Sequence, residues 1–428
     1  MASSSSSSSS SLFLLLSFLY FTLSHLQISA SSLILPLTKD SATLQYLTTL
    51  SHGTPLVTTN LVLDIGGSNL WIDCASREVP SSSSVTVPHR SIQCLTAKSH
   101  ELETQAWLTS LSNPEELDLP CQTLTQNTIT GAKSSEAELV QDLMALKRSK
   151  LEGPKSQILF ACSPSLLLKG LASGAKGIAG LGRSRSSLTS QIFDSLTTHR
   201  KMSFCVSSSS GVVVFGNMGY EFQQSNEILR SLTFTPLVTT NNNQKNPNSQ
   251  EYFINVNSIK IGGKKVSFNT PSLSQDGNGA MLSTVVPFTT LHSSIYENFE
   301  SAFLKAALAM NMTKVEPLAP FGLCFSSEGN PSVPVIDFVL QSEMVKWSFH
   351  GSNSMVKVNE KVMCLGFLDG GVDAKNNIVI GGFQLEDVLV QIDLDTNMVG
   401  FSNSLLMKQS SCSDFNKLAS SSSMVAAE

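Results

Sequence analysis

The sequence predicts an all-β protein built from two lobes, and three observations support this fold class. Strand signals dominate, as short β-branched or aromatic runs separated by Gly, Pro, Asn and Ser. Charged residues make up only 14% of the chain while serine and threonine are abundant, a profile that suits a secreted β-protein. The 428 residues suffice for two domains, and two segments with one shared pattern begin the two halves.

The two matching segments are Leu61–Ile72 and Met281–Leu291. Each is an apolar strand that breaks into a tight turn and resumes as an apolar run. The first carries Asp64 at its turn, and the second carries Ser283 at the matching place. Two facing turns of this kind can build a site from two carboxylates, but this chain supplies only one.

Local patterns predict the other elements. Further strands are predicted at Ile158–Ala161, Gly211–Phe215, Tyr252–Val256, Val362–Phe367 and Ile378–Ile380. The clearest helix is Ser293–Met310, whose apolar residues recur on one face. Weaker signals predict a helix at Ser187–Thr198, a helical turn at Leu385–Asp387 and an exposed polar loop at Thr239–Gln250.

The N-terminus predicts a signal peptide over residues 1–30. A serine tract precedes the apolar stretch Leu12–Leu23, and Ala30 is a small residue at a suitable cleavage point. No Lys or Arg precedes the apolar stretch, so a membrane anchor or a buried strand stays open as an alternative. No later run is long and apolar enough to span a bilayer, so we expect secretion to the extracellular space or cell wall and no membrane partner.

Eight widely spaced cysteines agree with secretion. They include no C-x-x-C pair and no zinc-ligand spacing, so no metal or other cofactor is predicted. An even count in an oxidising compartment favours four disulfides. Spacing alone leaves their connectivity open.

Charge and short motifs exclude other classes of function. The net charge is −5 with no basic run, which disfavours a nucleic-acid partner. The seven histidines form no H-E-x-x-H motif, and the glycines of Gly177–Gly182 fit packing better than phosphate binding. Asn311 begins a permissible Asn-x-Ser/Thr sequon, which predicts glycosylation there.

Three segments resemble the pepsin-like aspartic proteases. Asp64-Ile65-Gly66 resembles their first active-site turn, and Gly180-Leu181-Gly182 and Ile378–Ser402 resemble later parts of their lobes. The resemblance covers about residues 40–412 and implies a bilobal fold with few short helices. We therefore expect an N-terminal lobe at 31–225, a C-terminal lobe at 226–412 and a flexible tail at 413–428.

A closer resemblance is to a plant subgroup of this family. The subgroup contains extracellular dermal glycoprotein, basic 7S globulin, and inhibitors of xylanase and xyloglucan-specific endoglucanase. The residues that carry the match are Asp64–Cys74, Phe160–Arg183, Ala319–Phe325, Val333–Val356 and Cys364–Gly371. By this resemblance the disulfides are Cys74–Cys162, Cys94–Cys121, Cys205–Cys412 and Cys324–Cys364.

The catalytic apparatus of the family is incomplete in this sequence. Aspartic proteolysis needs two carboxylates that share one proton, and Ser283 cannot ionise as the second. The family's hydroxyl side chains beside the first acid are replaced by Ile65 and Gly67, and no tyrosine occurs in the flap region, about Asn127–Leu143. We therefore predict no catalytic residue, with Asp64 and Ser283 vestigial. Asp64 is interpreted as a turn-forming residue, with residual catalysis or ligand binding as alternatives.

Some members of the plant subgroup inhibit glycoside hydrolases by inserting basic second-lobe loops into the enzyme's cleft. Here the loop Phe325–Ser332 carries no Arg or Lys. Its Glu328 is a candidate binding residue, although it has the wrong sign to meet catalytic glutamates. The loop Ser402–Ser411 offers Lys408, which is a candidate binding residue or an ordinary surface lysine.

Three functions follow as hypotheses. The first is a secreted, catalytically inactive protein that inhibits or binds a glycoside hydrolase, such as a xylanase or xyloglucan endoglucanase, in plant defence. The second is an aspartic endopeptidase with a rearranged site. The third is a cell-wall, storage-like or peptide-binding glycoprotein.

Overall fold

The structure is a computed structural model that describes residues 32–98, 119–148, 152–195, 199–218, 225–238, 250–268, 273 and 279–415. The predicted signal peptide and all but one residue of the predicted loop at 239–250 lie outside the described residues. All but the first three residues of the predicted tail at 413–428 also lie outside them.

Short strands account for most of the regular structure in the described part of the chain. In the first half they are β1 (Leu33–Lys39), β2 (Tyr46–His52), β3 (Val57–Asp64), β4 (Leu70–Ile72), β5 (Val85–Thr86), β6 (Gln122–Gln126), β7 (Lys133–Arg148), β8 (Glu152–Cys162), β9 (Gly177–Gly180), β10 (Lys201–Val206) and β11 (Ser210–Phe215). In the second half they begin with β12 (Thr233–Pro236), β13 (Phe253–Ile254), β14 (Ser258–Ile261), β15 (Lys264–Lys265), β16 (Ala280–Leu282), β17 (Thr289–Leu291), β18 (Lys314–Val315) and β19 (Cys324–Ser326). They end with β20 (Ile336–Ser342), β21 (Val345–Phe349), β22 (Met355–Lys357), β23 (Val362–Leu365), β24 (Phe367–Asp369), β25 (Ile378–Ile380), β26 (Leu389–Asp393) and β27 (Met398–Phe401).

Helices are few and mostly short, which confirms the predicted fold class. The α-helices are α1 (Ile92–Lys98), α2 (Leu188–Ser195), α3 (Ser225–Arg230), α4 (Ser293–Ala309), α5 (Gly351–Ser354) and α6 (Gly382–Leu385), with 3-10 turns at Cys74–Ser76, Ser165–Leu168 and Leu405–Lys408. No helix in the described residues is long and apolar enough to cross a membrane.

Helix α4 matches the helix predicted at Ser293–Met310 to within one residue. Helix α2 matches the one predicted at Ser187–Thr198 as far as Ser195, and residues 196–198 lie outside the described part of the chain. The helical turn predicted at Leu385–Asp387 was wrong in its bounds, because the structure places it earlier, as α6. Glu386 is already extended, and Asp387 adopts a positive φ of 53°, which ends the turn.

The largest sheet has 14 strands and includes strands from both halves of the chain. Its order is β12-β27-β26-β10-β11-β1-β2-β3-β9-β4-β8-β7-β5, with β6 paired to β7. Because β26 pairs with β10 from Lys201↔Asp393 to Cys205↔Leu389, the sheet is continuous between the halves. The lobe boundary at 225/226 therefore stays a prediction.

Three smaller sheets belong to the second half alone. Their orders are β13-β16-β25-β17-β24, β15-β14-β20-β21 and β18-β19-β23-β22. Helix α4 covers them with the buried side chains of Ile295, Phe299 and Phe303. Trp347 stacks on Phe401 with ring centroids 4.4 Å apart, which joins the second-half core to the large sheet.

Buried polar contacts also connect the halves. Lys39 forms an ion pair with Glu386, and only about a tenth of each side chain is exposed, 9% and 10%. The hydroxyl of Tyr46 donates to the same carboxylate at 3.1 Å. Burial is the main cause of a raised pKa at Glu386, and the charge of Lys39 opposes it.

Candidate functional site

The two predicted turns occupy equivalent places in the fold. β9 lies between β3 and β4, parallel to the first and antiparallel to the second, so that Asp64 pairs with Gly180. β25 lies between β16 and β17 in the same two orientations. Ser283 follows β16 directly and is 2% exposed, and Asp64 is 3% exposed, so the matching side chains of the two turns are both buried.

One buried hydroxyl joins the two turns. Ile65 donates its amide to Thr284 Oγ1 at 3.2 Å, and that hydroxyl donates to the carbonyl of Leu63 at 2.8 Å. Ile65 has no hydroxyl with which to return the contact, so the connection is one-sided. Sequence reasoning noted the loss at Ile65 but missed Thr284, although Thr284 follows Ser283 as Ile65 follows Asp64.

Asp64 is buried with only one of its two carboxyl oxygens bonded. Oδ1 accepts the amide of Gly66 at 2.9 Å, whereas Oδ2 has no hydrogen-bond partner. Burial is the main cause of a raised pKa at Asp64, and the charge of Glu251 adds to it. The hydroxyl of Thr128 and the amides of Gly66 and Gly67 act in the opposite direction, although Thr128 lies outside hydrogen-bond geometry.

The lost partner of Oδ2 can be traced to Gly67. A Cβ added to this glycine would lie 3.0 Å from Oδ2, so a hydroxyl side chain there would reach the carboxylate. The same Cβ would lie 2.9 Å from Cα of Gly180, so the position is crowded. The absence of a serine or threonine at 67 therefore leaves a buried oxygen unsatisfied.

Ser283 forms a turn and supplies no second acid. Its Oγ accepts the amides of Val285 at 3.3 Å and Val286 at 3.2 Å. A carboxylate at this place would make similar bonds and ionise as well, but a serine hydroxyl stays neutral. The two turns therefore hold one titratable oxygen pair where a shared-proton dyad needs two.

A hairpin over the first turn is tethered by side chains. This flap hairpin consists of β6, β7 and the tip at residues 127–132. Asn69 donates to the carbonyl of Leu124 at 3.1 Å, and the indole of Trp71 donates to that of Gln126 at 3.2 Å. These bonds hold the hairpin to the strand that leaves the first turn.

A third tether lies at the hairpin tip. Asn127 is fully buried and donates through Nδ2 to the carbonyls of Leu167 and Lys169, at 2.8 and 2.9 Å. Its Oδ1 accepts the amide of Ile129 at 2.9 Å. The flap hairpin is thus fixed to another part of the first half of the chain, and it carries no tyrosine.

Glu251 lies against the first turn, a contact that sequence reasoning missed. A Cβ added at Gly66 would meet Glu251 Cγ at 3.0 Å. A glycine at such a place lets another backbone approach closely, but here a carboxylate side chain fills the space. No local sequence pattern predicts the contact between Glu251 and Gly66, because the two residues are far apart in sequence.

The described residues contain no group of three or more His, Cys, Asp or Glu side chains that could hold a metal ion. The central site therefore consists of one buried acid, one serine and a tethered hairpin.

Two family models match most of the chain. The model for the xylanase inhibitor N-terminal region matches residues 46–217, and that for the xylanase inhibitor C-terminal region matches residues 251–403. The chain belongs to this pepsin-like xylanase-inhibitor family.

Relatives in the xylanase-inhibitor family cover nearly the whole chain. Probable aspartic proteinase GIP2 of Nicotiana benthamiana is 42% identical over 94% of this chain and 97% of its own length. Gamma conglutin 1 of Prunus dulcis is 35% identical over 92% of this chain and 91% of its own.

Solved structures of the same family agree with the fold. The crystal structure of edgp superposes with a TM-score of 0.80 at 40% identity, over 91% of this chain and 98% of that chain. Basic 7S globulin from soybean gives a TM-score of 0.74 at 31% identity, over 90% and 99%. The pepsin-like fold predicted from the sequence is confirmed.

Four disulfides stabilise this member of the xylanase-inhibitor family. They are Cys74–Cys162, Cys94–Cys121, Cys205–Cys412 and Cys324–Cys364, and no cysteine is free in the described chain. The same four pairs were implied by the family resemblance.

The remaining candidate residues lie on the surface of the second half. Lys408 is half exposed and forms an ion pair with Glu227 at 4.0 Å, next to the end of a 3-10 turn. Glu328 is exposed in the loop after β19, where its amide donates to Ser326 at 3.2 Å. Asn311 is exposed in the turn after α4, with a positive φ of 60°. The structure places these three residues on different elements.

Proposed function

We propose that this protein is a secreted, catalytically inactive inhibitor or binder of a glycoside hydrolase, with a xylanase or a xyloglucan endoglucanase as the target and a role in plant defence. The observation that carries the proposal is the pairing of one buried carboxylate, Asp64, with a neutral serine, Ser283, in a chain of the xylanase-inhibitor family.

Loss of proteolysis follows from the chemistry of the site. Activating a water needs a base at the moment a second group donates a proton, and Ser283 cannot alternate between these roles. Oδ2 of Asp64 is buried, Glu251 lies over the glycine of the first turn, and Asn127 fixes the hairpin tip. Each feature opposes productive binding of a peptide at the centre.

We therefore assign binding of a protein partner to exposed loops on the surface of the molecule. Loops on a rigid β-scaffold are free to vary and carry recognition. Lys408 is a candidate contact because its ion pair with Glu227 is exposed, and exposed pairs contribute only about 0–1 kcal/mol. Glu328 repels a carboxylate and is a poor candidate for an enzyme's catalytic acids.

The test is an inhibition assay with the secreted full chain against xylanases and xyloglucan-active endoglucanases. We expect dose-dependent inhibition of at least one enzyme and no peptide hydrolysis between about pH 3 and 5. Asp64→Ala, as a folded variant, should inhibit as well as the wild type. Peptide hydrolysis blocked by a transition-state-mimicking inhibitor would instead establish an aspartic endopeptidase with a rearranged site.

A second candidate is a storage-like or wall-associated glycoprotein. It is favoured by similarity to proteins named gamma conglutin and basic 7S globulin, at 31–35% identity. This chain differs from a basic protein, since its net charge is −5 and its pI about 5.8. Absence of inhibition across the whole enzyme panel would favour this candidate.

A further inference from the structure

We propose that strand β22 of the second half binds an extended peptide segment of a protein partner, in which an apolar residue and an acidic residue stand two positions apart. The inference rests on the proposed function only in that the partner is a protein. It is carried by a sheet edge at which Lys357 is exposed, a cavity beside that edge and the charge of Lys357.

β22 is the last strand of its four-stranded sheet. The amide of Gly366 donates to the carbonyl of Ser354 at 2.8 Å, and the amide of Val358 donates to the carbonyl of Val362 at 3.0 Å. Every second residue therefore bonds to the β23 side, at positions 354, 356 and 358. Main-chain groups of Met355 and Lys357 therefore point away from the sheet. The amide of Met355 bonds to Gly351, which leaves Lys357 to exchange bonds with an added strand.

A cavity of about 590 Å³ lies beside this edge. Five of its lining residues are apolar, namely Met355, Met363, Val333, Val335 and Pro331, and the others are Ser327, Asn330, His350, Gly351, Ser352, Lys357 and Glu360. The volume of the cavity lies in the range of ligand pockets, and its lining combines apolar side chains with polar ones. Met355 and Met363 are adaptable side chains that can pack on an inserted apolar residue.

The lining of the cavity includes Lys357, a cation that can pair with an acidic residue of the partner. Lys357 is 60% exposed and bonds to Glu360, which is 90% exposed, at 2.9 Å. An exposed pair of this kind is weak, so Lys357 can exchange Glu360 for a carboxylate of the partner. His350 also lines the cavity and is a further polar group there.

Strand geometry sets the order of the recognised residues. In an extended peptide, side chains two positions apart point to the same face. One such side chain can enter the cavity and pack on its methionines while the next on that face meets Lys357. The loop after β19, which carries no basic residue, thus lines a site whose lysine comes from β22.

The test begins with linear peptides displayed on phage and selected on the purified full chain. We expect a consensus with an apolar and an acidic residue two positions apart, and saturable binding of the synthetic consensus peptide in calorimetry. Lys357→Glu should weaken that binding about tenfold or more, since it replaces a charge-assisted contact by repulsion. Lys264→Glu, on an edge strand of another sheet, is the matched control and should bind as the wild type.

A second variant keeps the test independent of charge. Ser352→Trp places a large side chain in the lining of the cavity and should also abolish peptide binding. The thermal unfolding midpoints of Ser352→Trp and Lys357→Glu should match that of the wild type. Absence of a consensus, or unchanged affinity in both variants, would overturn the proposal.

The hydrolase assay separates this inference from the proposed function. Peptide binding without inhibition of any hydrolase supports the β22 site and contradicts the proposed function. Inhibition that survives Lys357→Glu and Ser352→Trp, with no peptide bound, overturns the β22 site and leaves the proposed function standing. Loss of both in the two variants supports both.

Discussion

At the scale of single residues, the incomplete dyad includes one carboxyl oxygen of Asp64 that has no hydrogen-bond partner. Oδ2 of Asp64 is buried without a partner because residue 67 is a glycine. Burial disfavours the charged form of this carboxyl and is the main cause of its raised pKa. Wild-type stability should fall as the pH rises from below the ordinary value of 3.8 through that raised pKa, since the unfolded state ionises first.

Gly67→Ser should supply the missing donor. A serine hydroxyl reaching Oδ2 favours the charged carboxylate by about 1.5–3 kcal/mol, offset in part by crowding against Gly180. We expect a lower pKa for Asp64 in a carboxyl titration by NMR and a smaller loss of stability with rising pH. Gly67→Ala is the control, because it adds the crowding without the hydroxyl. An equal pKa in the two variants would contradict this account.

Ser283→Asp alone should not create a protease. The substitution provides a second carboxylate, but Ile65 still lacks the reciprocal hydroxyl, Glu251 still covers Gly66 and the hairpin remains tethered. We expect cleavage of a fluorogenic peptide at about pH 4 to stay at the level of the wild type. Measurable turnover in this single variant would show that the second acid was the only missing part.

At the scale of elements, the flap hairpin is held in place by side-chain hydrogen bonds from Asn69, Trp71 and Asn127. Asn127→Ala removes the two bonds from Nδ2 and leaves the carbonyls of Leu167 and Lys169 without that donor. We expect a loss of about 2–4 kcal/mol in unfolding free energy and faster amide exchange at residues 124–132.

Trp71→Phe is the comparison for that variant. It removes one bond to the hairpin, at Gln126, while keeping an aromatic ring in place. A cost of about 1 kcal/mol is expected, with exchange at the tip little changed. If Asn127→Ala leaves exchange at the tip unaltered, the tip is held by other contacts.

Elements with strong local patterns could be predicted from the sequence. Helix α4 was found within one residue of its end because its apolar face repeats at helical spacing. Strand β13 is only two residues long within a predicted run of five, since Val256 leaves the sheet that Ile254 joins. Strand ends depend on pairing partners far away in sequence, which no local pattern contains.

The candidate site was predictable only where a motif marks it. Asp64 and Ser283 were identified by their repeated pattern, and the structure places these two buried residues in equivalent turns. The contacts of Glu251 with the first turn and of Lys408 with Glu227 depend on tertiary packing. Sequence reasoning therefore gave the incomplete dyad but not the side chains that surround it.

At the scale of the whole molecule, Lys39 and Glu386 form a buried ion pair between the two halves of the chain. Lys39→Met leaves Glu386 buried without its cation and should cost about 3–5 kcal/mol. The double variant Lys39→Met/Glu386→Gln should recover much of that loss, because the remaining amide carries no charge. Urea unfolding of the single and double variants measures both values. Equal losses would mean that the pair contributes through packing and not through charge.

The disulfide between Cys205 and Cys412 has a consequence for the chain's covalent integrity. The other three bonds each join cysteines within residues 74–162 or 324–364, whereas this bond links the first half to the end of the second. A single cut of the backbone anywhere between residues 206 and 323 would yield two polypeptides that stay linked until a reductant is added. Because β10 and β26 also pair across that cut, the nicked protein should keep its shape as a two-chain molecule.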